Sequence, residues 1–346
     1  MKKFLVLIMA ILLVFTLTGC GDSGGSSSGG GGGGGGGDDP VSSGPLCFTA
    51  KTAGSTIKLK ADDINPPAAN PTVEYSTDGS TWEAYTLDTV ITLENQNDKV
   101  YFRGDNDTFC DSTGFMNFVM TGSIAASGNI MSLVDKTCAS VTIPNSMCFN
   151  NLFQNCAVLT TPPALPATTL TGGCYDSLFF HCSGLTTAPA LPATTLQNCC
   201  YMGMFWGCSS LTTPPVLPAT TVVEECYEDM FYDCSALTSA PELPATTMQN
   251  LCYSSMFYGC TSLTTAPVLP ATTLATNCYS GMFQDCANLT SITVYFTSWD
   301  TVPTATTSWI GGVSFPATGT FNCPAALADE VDGDNKKPTG WTKTPL

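Results

Sequence analysis

Two columns of thiols are the first residues in this chain whose type and spacing could do chemistry. Cys148, Cys174, Cys200, Cys226, Cys252 and Cys278 are each 26 residues apart, and Cys156, Cys182, Cys208, Cys234, Cys260 and Cys286 keep the same step. Thiolates ligate zinc, and paired thiols form disulfides. Two cysteines eight apart on a helix lie about 12 Å from each other, too far to share one zinc, so no metal is expected there. Equivalent cysteines in adjacent coils would have backbones about 5 Å apart, within reach of a disulfide. Bridging therefore stays open, beside a second reading in which each thiol fills a small buried gap as a compact hydrophobe.

A second column is aromatic. Phe180, Trp206, Tyr232 and Tyr258 hold the same variable place in consecutive units, with Gln154 and Gln284 at its ends. Such a stripe offers large apolar area at little entropic cost, either to stack on sugar rings or to meet a partner protein; the plainer alternative is that it covers the core. These four are the candidate binding residues. The single histidine, His181, falls in a column held elsewhere by Asn155, Gly207, Asp233, Gly259 and Asp285, which marks an exposed turn and gives it no repeated partner for a Ser-His-Asp arrangement. Glu224-Glu225 and Glu228-Asp229 are paired carboxylates, but they belong to one unit without a motif and read as solvated surface. Asp105, Asp107 and Asp111, and Asp332-Gly333-Asp334, depart from calcium-loop spacing and read as turns. No catalytic residue, metal ligand or cofactor is assigned, and the chain does not read as an enzyme.

The element that must position these columns is the repeat itself. One unit reads Cys-Tyr-x-x-Met-Phe-x-x-Cys-x-x-Leu-Thr-Thr-x-Pro-x-Leu-Pro-Ala-Thr-Thr-Leu-x-x-x. A fixed period of this length implies a solenoid, in which each turn buries its apolar face only against its neighbours. Met248, Cys252 and Met256 fall at i, i+4 and i+8, which predicts a short helix starting after Thr246-Thr247. Leu237 to Leu243 predicts a short extended segment, with Pro241 and Pro244 limiting the regularity of its ladder.

The order Met-Phe-x-x-Cys-x-x-Leu, then a strand-like segment, then Leu-Pro and a second apolar start resembles the treponemal-type leucine-rich repeat of BspA-like bacterial surface proteins. The likeness covers residues 148 to about 296, with an imperfect first turn at Leu133 to Met147. The unit is longer than the family's, and Thr-Thr-x-Pro stands where the family usually has more isoleucine. The resemblance implies adhesion to host matrix, host cells or other bacteria.

The flanks read differently. Residues 1–19 are a positively charged start and an apolar run ending Leu17-Thr18-Gly19-Cys20, which resembles a bacterial lipobox and makes Cys20 the lipidation site. Residues 20–45 are a glycine- and serine-rich tether. Residues 46–130 show alternating segments at Thr56 to Lys60, Thr72 to Ser76, Trp82 to Thr86, Val90 to Glu94 and Lys99 to Arg103, with Asp78-Gly79 as a hairpin signal, and predict an immunoglobulin-like β-sandwich spacer. Cys47 and Cys110 are a conceivable closing pair for it, although sequence does not fix connectivity. Residues 131–296 are the solenoid, of about six 26-residue turns, and residues 297–346 a C-terminal cap.

The expected class is thus α+β: a β-sandwich followed by a leucine-rich-repeat-like solenoid and its cap. With 11 basic against 28 acidic residues, and no lysine or arginine between Lys136 and Lys336, nucleic acid is a poor partner. The expected protein is anchored to the bacterial cell envelope, its membrane contact made through the lipid, and binds a host or bacterial surface protein or a glycan. The second reading is polysaccharide capture on the aromatic column.

Overall fold

The structure is a computed structural model that describes residues 44–312, 316, 318–327, 332–333 and 335–346. Cys20, the leader and the tether as far as residue 43 lie outside the described residues.

Alternating burial builds the N-terminal part. Strand β2 (Ser55–Ala61) turns Ile57 and Leu59 inward and Lys58 and Lys60 outward, the period-2 pattern of a sheet with one wet face. It pairs antiparallel with β5 (Ile91–Leu93) and β7 (Met116–Thr121) in a three-stranded sheet. A second sheet is ordered β4 (Glu83–Ala84), β3 (Glu74–Ser76), β6 (Lys99–Arg103), β1 (Leu46–Ala50), β8 (Ile124–Ser127) and β9 (Leu159–Thr161). The five strand segments read from sequence all appear, Lys99 to Arg103 with the same bounds and the others trimmed or extended by one or two residues at an end. At the β3–β4 hairpin Asp78 accepts the N–H groups of Ser80 and Thr81 while Gly79 takes φ 76°, the local bonding that makes Asp-Gly a turn signal. Phe48, Phe102 and Phe118, from β1, β6 and β7, meet at centroid separations of 4.9–5.9 Å and join the two sheets.

The repeats form stacked coils, but no α-helix occurs among the described residues, and the α part of the expected α+β class is overturned. The stretch expected to be helical is a run of consecutive tight turns. In the fourth coil Glu225, Asp229 and Asp233 have φ of 56°, 54° and 55°. Alternate amides, those of Glu225, Tyr227, Asp229, Phe231 and Asp233, donate to carbonyls of the next coil at 2.7–3.1 Å. The amides between them, from Cys226 to Cys234, donate three residues back within their own coil. A helix would satisfy all these donors internally; here half of them stitch coil to coil, so the i, i+4 pattern that suggests a helix comes from a turn repeated every four residues.

The other side of each coil is extended and irregular. The prolines of Thr-Thr-x-Pro-x-Leu-Pro remove ladder donors, leaving isolated parallel bridges such as Thr187 with Thr213 and Thr247 with Thr273. Threonine substitutes for the lost bonds: the Thr186 and Thr212 hydroxyls donate to Thr160 O and Thr186 O at 3.3 and 3.4 Å. Regular pairing returns in the parallel sheet of β10 (Thr265–Leu269), β11 (Ser291–Val294), β12 (Thr320–Cys323) and β13 (Thr342–Pro345), with a bulge beside Pro267.

Three side-chain ladders hold the stack. Phe118, Phe153, Phe179, Phe205, Phe231, Phe257 and Phe283 follow one another at 5.4–5.9 Å with planes within 11° of parallel, and Trp309 closes the series. Tyr201, Tyr227, Tyr253 and Tyr279 form a second buried ladder. The third is a ladder of thiols. Cys182, Cys208, Cys234, Cys260 and Cys286 each donate from Sγ, at 3.0–3.2 Å, to the carbonyl of a phenylalanine in the preceding coil. Cys156 makes the same bond to Phe118 O, so β7 serves as a template for the first coil. All described cysteines are buried and unbridged, Cys47 and Cys110 included. Burial, against the opposing bond from the Met116 amide and with the Asp111 charge adding to it, raises the Cys110 thiol to about 12, far from the thiolate that exchange chemistry needs.

The apolar core runs unbroken from β1 through the last coil. The segment from Ala305 to Gly311 adds a coil beyond the sixth cysteine unit: the amides of Tyr279, Gly281, Phe283 and Asp285 donate to Ala305, Thr307, Trp309 and Gly311, 26 residues on, one more than in the same bonds between the earlier coils. That coil carries neither cysteine of the motif, so the sequence period hides it.

Candidate interaction face

The turn runs present one face, and the aromatic column lies on it. Phe180, Trp206, Tyr232 and Tyr258 are half-buried and brought together in order. Trp206 and Tyr232 stack at 4.2 Å, Tyr232 and Tyr258 at 4.3 Å and 3°, and Phe180 leans on Trp206 at 5.4 Å and 56°. The ring faces therefore cover one another, and what the column offers outward is mainly edges and hydroxyls. A single sugar needs an open ring face to stack on, and inside this ladder none is left. The Tyr232 hydroxyl donates to that of Tyr258, which donates to the Asp285 carboxylate. Burial first, then the bond to Tyr258, pushes the Tyr232 phenol well above its usual range.

On one side of the column every second coil carries a large polar residue lying over a glycine of the next. A Cβ on Gly207 would stand 2.3 Å from His181 Nδ1, and one on Gly259 would stand 2.1 Å from Asp233 Oδ1. Both glycines also take positive φ, 72° and 68°, so their freedom and their small size are used together. His181 is exposed, as the sequence implies, and its charge opposes the upward push that desolvation gives Asp233.

On the other side lies a knot of carboxylates that sequence reasoning reads as solvated. Glu224 is exposed, but Glu228 and Asp229 are half-buried and Asp176, two coils back, is 1% exposed. Asp176 Oδ1 accepts the Ser177 hydroxyl at 2.5 Å, and its Oδ2 has no hydrogen-bond partner. The Cys199 thiol donates to Glu225 Oε2 at 2.8 Å. Burial, reinforced by the charges of Asp229 and Glu225, raises Glu228 to about 8. Burial raises Asp229 to about 7 against the opposing bond from Ser255, and holds Asp176 well above the carboxylate range. The signal that was available is the gap in basic residues: from residue 137 to 335 there is no lysine or arginine, and His181 is the one basic side chain of the coils.

Of the remaining acidic sites, Asp332-Gly333-Asp334 runs outside the described residues at Asp334. Asp111 accepts from Thr113, Gly114 and Ala68, and Asp105 pairs with Lys136. Among the described residues no group of three or more His, Cys, Asp or Glu is placed to hold a metal ion, and no helix is long and apolar enough to cross a membrane.

The molecule is a stacked-coil repeat protein with strand-built N-terminal sheets. Comparison with family models, curated proteins and solved structures finds no match in any of the three.

Proposed function

We propose that the chain is a lipid-anchored binding protein of the bacterial envelope, tethered through Cys20, which holds its turn face out to a host or bacterial surface protein. In this reading residues 46–130 are an immunoglobulin-like β-sandwich spacer, and the coils are leucine-rich-repeat-like units of the BspA type whose second side is turns in place of helix. No catalysis and no cofactor are part of it. The observation that carries the reading is the self-stacked column Phe180, Trp206, Tyr232 and Tyr258, an amphipathic ridge whose side chains are already ordered before a partner arrives. Preorganised aromatic edges with hydroxyls suit a protein surface, because little side-chain entropy remains to be lost on docking. Polysaccharide capture is the second reading, and the covered ring faces weigh against it.

The test is binding of the protein, residues 46–346, to an array of matrix proteins and of microbial and host glycans, beside a Trp206→Ala/Tyr232→Ala variant. Protein hits lost in the variant are expected. Hits confined to glycans and lost in the variant would establish the capture reading, and protein hits untouched by it would move the docking surface off this face.

A further inference from the structure

We propose that the carboxylate knot of the second to fourth coils receives lysine or arginine side chains of the partner protein, and that this docking expels protons from the knot. The proposal rests on the turn face being the docking surface and names the chemistry of what docks there.

The geometry is that of an incomplete ion cluster. Glu225 and Glu228 of the fourth coil and Asp176 of the second surround Cys199 of the third, whose thiol donates to Glu225 Oε2 at 2.8 Å; Asp229 acts as like charge on Asp176 and Glu228, and Glu225 on Glu228. From the third coil only Met202 and Gly203 stand in the columns between Asp176-Ser177 and Glu228-Asp229. From the fifth coil Ser254 and Ser255 supply hydroxyls, to Glu228 and Asp229 respectively, and no charge. Asp176 Oδ2, almost completely buried and coupled to Asp229, has no donor at all. A buried acceptor without a donor is costly, so this cluster is built with its positive component missing. The coils bring no lysine or arginine to it, because none lies between Lys136 and Lys336, and the charge of their one histidine, His181, acts on Asp233. The N-terminal bases Lys58, Lys60, Arg103 and Lys136 are already engaged with Asp88, Asp63 and Glu74.

The missing component is an organic cation. No grouping of three ligands suits a metal ion, whereas a guanidinium offers five N–H donors and an ammonium three, enough to reach carboxylates and hydroxyls spread over adjacent coils. Asp229 also lies close enough to Tyr232 to act on its phenol, which ties the knot to the aromatic ridge and makes one continuous contact surface. In the free protein near neutral pH part of the knot is protonated. A cation favours the ionised form, so the protons leave as it binds and affinity rises with pH until the free carboxylates are themselves ionised.

The experiment titrates the full-length protein with a short oligo-arginine peptide by calorimetry from about pH 5 to about pH 9 at low salt, in buffers of different ionisation heat. Expected are an affinity that climbs with pH by up to about tenfold per unit for each proton released, and a heat that changes with the buffer. A Glu228→Gln/Asp229→Asn variant is expected to bind at least about tenfold more weakly near pH 8 and to lose the buffer dependence, while melting no lower than the parent. Glu242→Gln, on the exposed proline side, is expected to leave the affinity unchanged. An affinity flat or falling with pH, no peptide binding, or a double variant that binds like the parent near pH 8 would overturn the proposal. Should it fail while array hits still depend on Trp206 and Tyr232, the docking surface stands and only its partner's charge is wrong.

Discussion

Serine and alanine at the same cysteine separate two accounts of why thiols fill the repeat. Cys234 is fully buried, and its Sγ lies 3.1 Å from Phe205 O, a carbonyl that also accepts the Cys208 amide at 3.0 Å. Alanine removes one sulfur, worth about 1 kcal/mol of transfer plus a small cavity, and leaves the carbonyl with one of its two bonds, for a total of about 1–2 kcal/mol. Serine gives up the same volume but keeps a donor aimed at Phe205 O, which recovers about 0.5–1.5 kcal/mol. Serine at this position is therefore predicted to cost no more than alanine. One position of the first column inverts the order. Cys252, equally buried, donates only to the Met248 thioether at 3.7 Å, a weak acceptor, so a serine hydroxyl there is left nearly unsatisfied and costs about 1 kcal/mol more than alanine. Equilibrium urea unfolding of the four variants, compared at matched m-values, reads the differences. If serine at residue 234 proves about 1 kcal/mol worse than alanine, as at residue 252, the thiols act as compact hydrophobes in both columns and the donor ladder carries no energy.

Phe231 stacks between Phe205 and Phe257 at 5.6 and 5.7 Å, so Phe231→Ala opens two coil interfaces and should cost about 3–5 kcal/mol in the same unfolding assay. Trp309→Ala acts at the last rung, and hydrogen exchange should show protection lost first from Tyr279 to Asp285, whose amides bond to that coil. Gly259→Ala should destabilise by more than the roughly 1–2 kcal/mol of a left-handed residue, because its Cβ also meets Asp233 Oδ1; adding Asp233→Ala should restore only the steric part. Stability should peak in mildly acid solution. Glu74, held below the usual range by Lys136 and Arg103, contributes stability present above the ordinary carboxylate pKa and lost as pH falls through its folded value. Glu228 and Asp229 work in the opposite sense: their contribution is full below about pH 4, the unfolded value, and is lost as pH rises through their folded values of about 8 and about 7. Melting temperatures across that range check both limbs, and Asp229→Asn should flatten the alkaline one.

What was legible in the sequence was whatever repeats or alternates. The 26-residue step gave the coils, and period-2 burial gave β2, β3 and β6 within a residue or two. The N-terminal strands missed, β1, β7 and β8, are mostly buried along their length, because β1 and β8 sit inside the larger sheet and β7 packs under the first coil, so they show no clean alternation. The helix was misread for a different reason. Met248, Cys252 and Met256 do share a face, but a step of four belongs equally to a turn of four residues repeated along the chain. The distinguishing mark was there in Asn151 and Asn155, Gly203 and Gly207, Asp229 and Asp233, and Gly281 and Asp285, small or side-chain-bonding residues four apart at positions that all take positive φ. A helix has no use for them at that spacing, since glycine and asparagine weaken its interior. The candidate site was half legible on the same principle. The aromatic column announced itself by recurrence, whereas the columns of the knot change residue type from coil to coil: Asp176, Met202 and Glu228 share one, and Cys199 and Glu225 another. Only the stacking of coil on coil brings them together. The 26-residue period sets these positions side by side along the stack, but a search for recurring residue types passes over columns whose occupants differ.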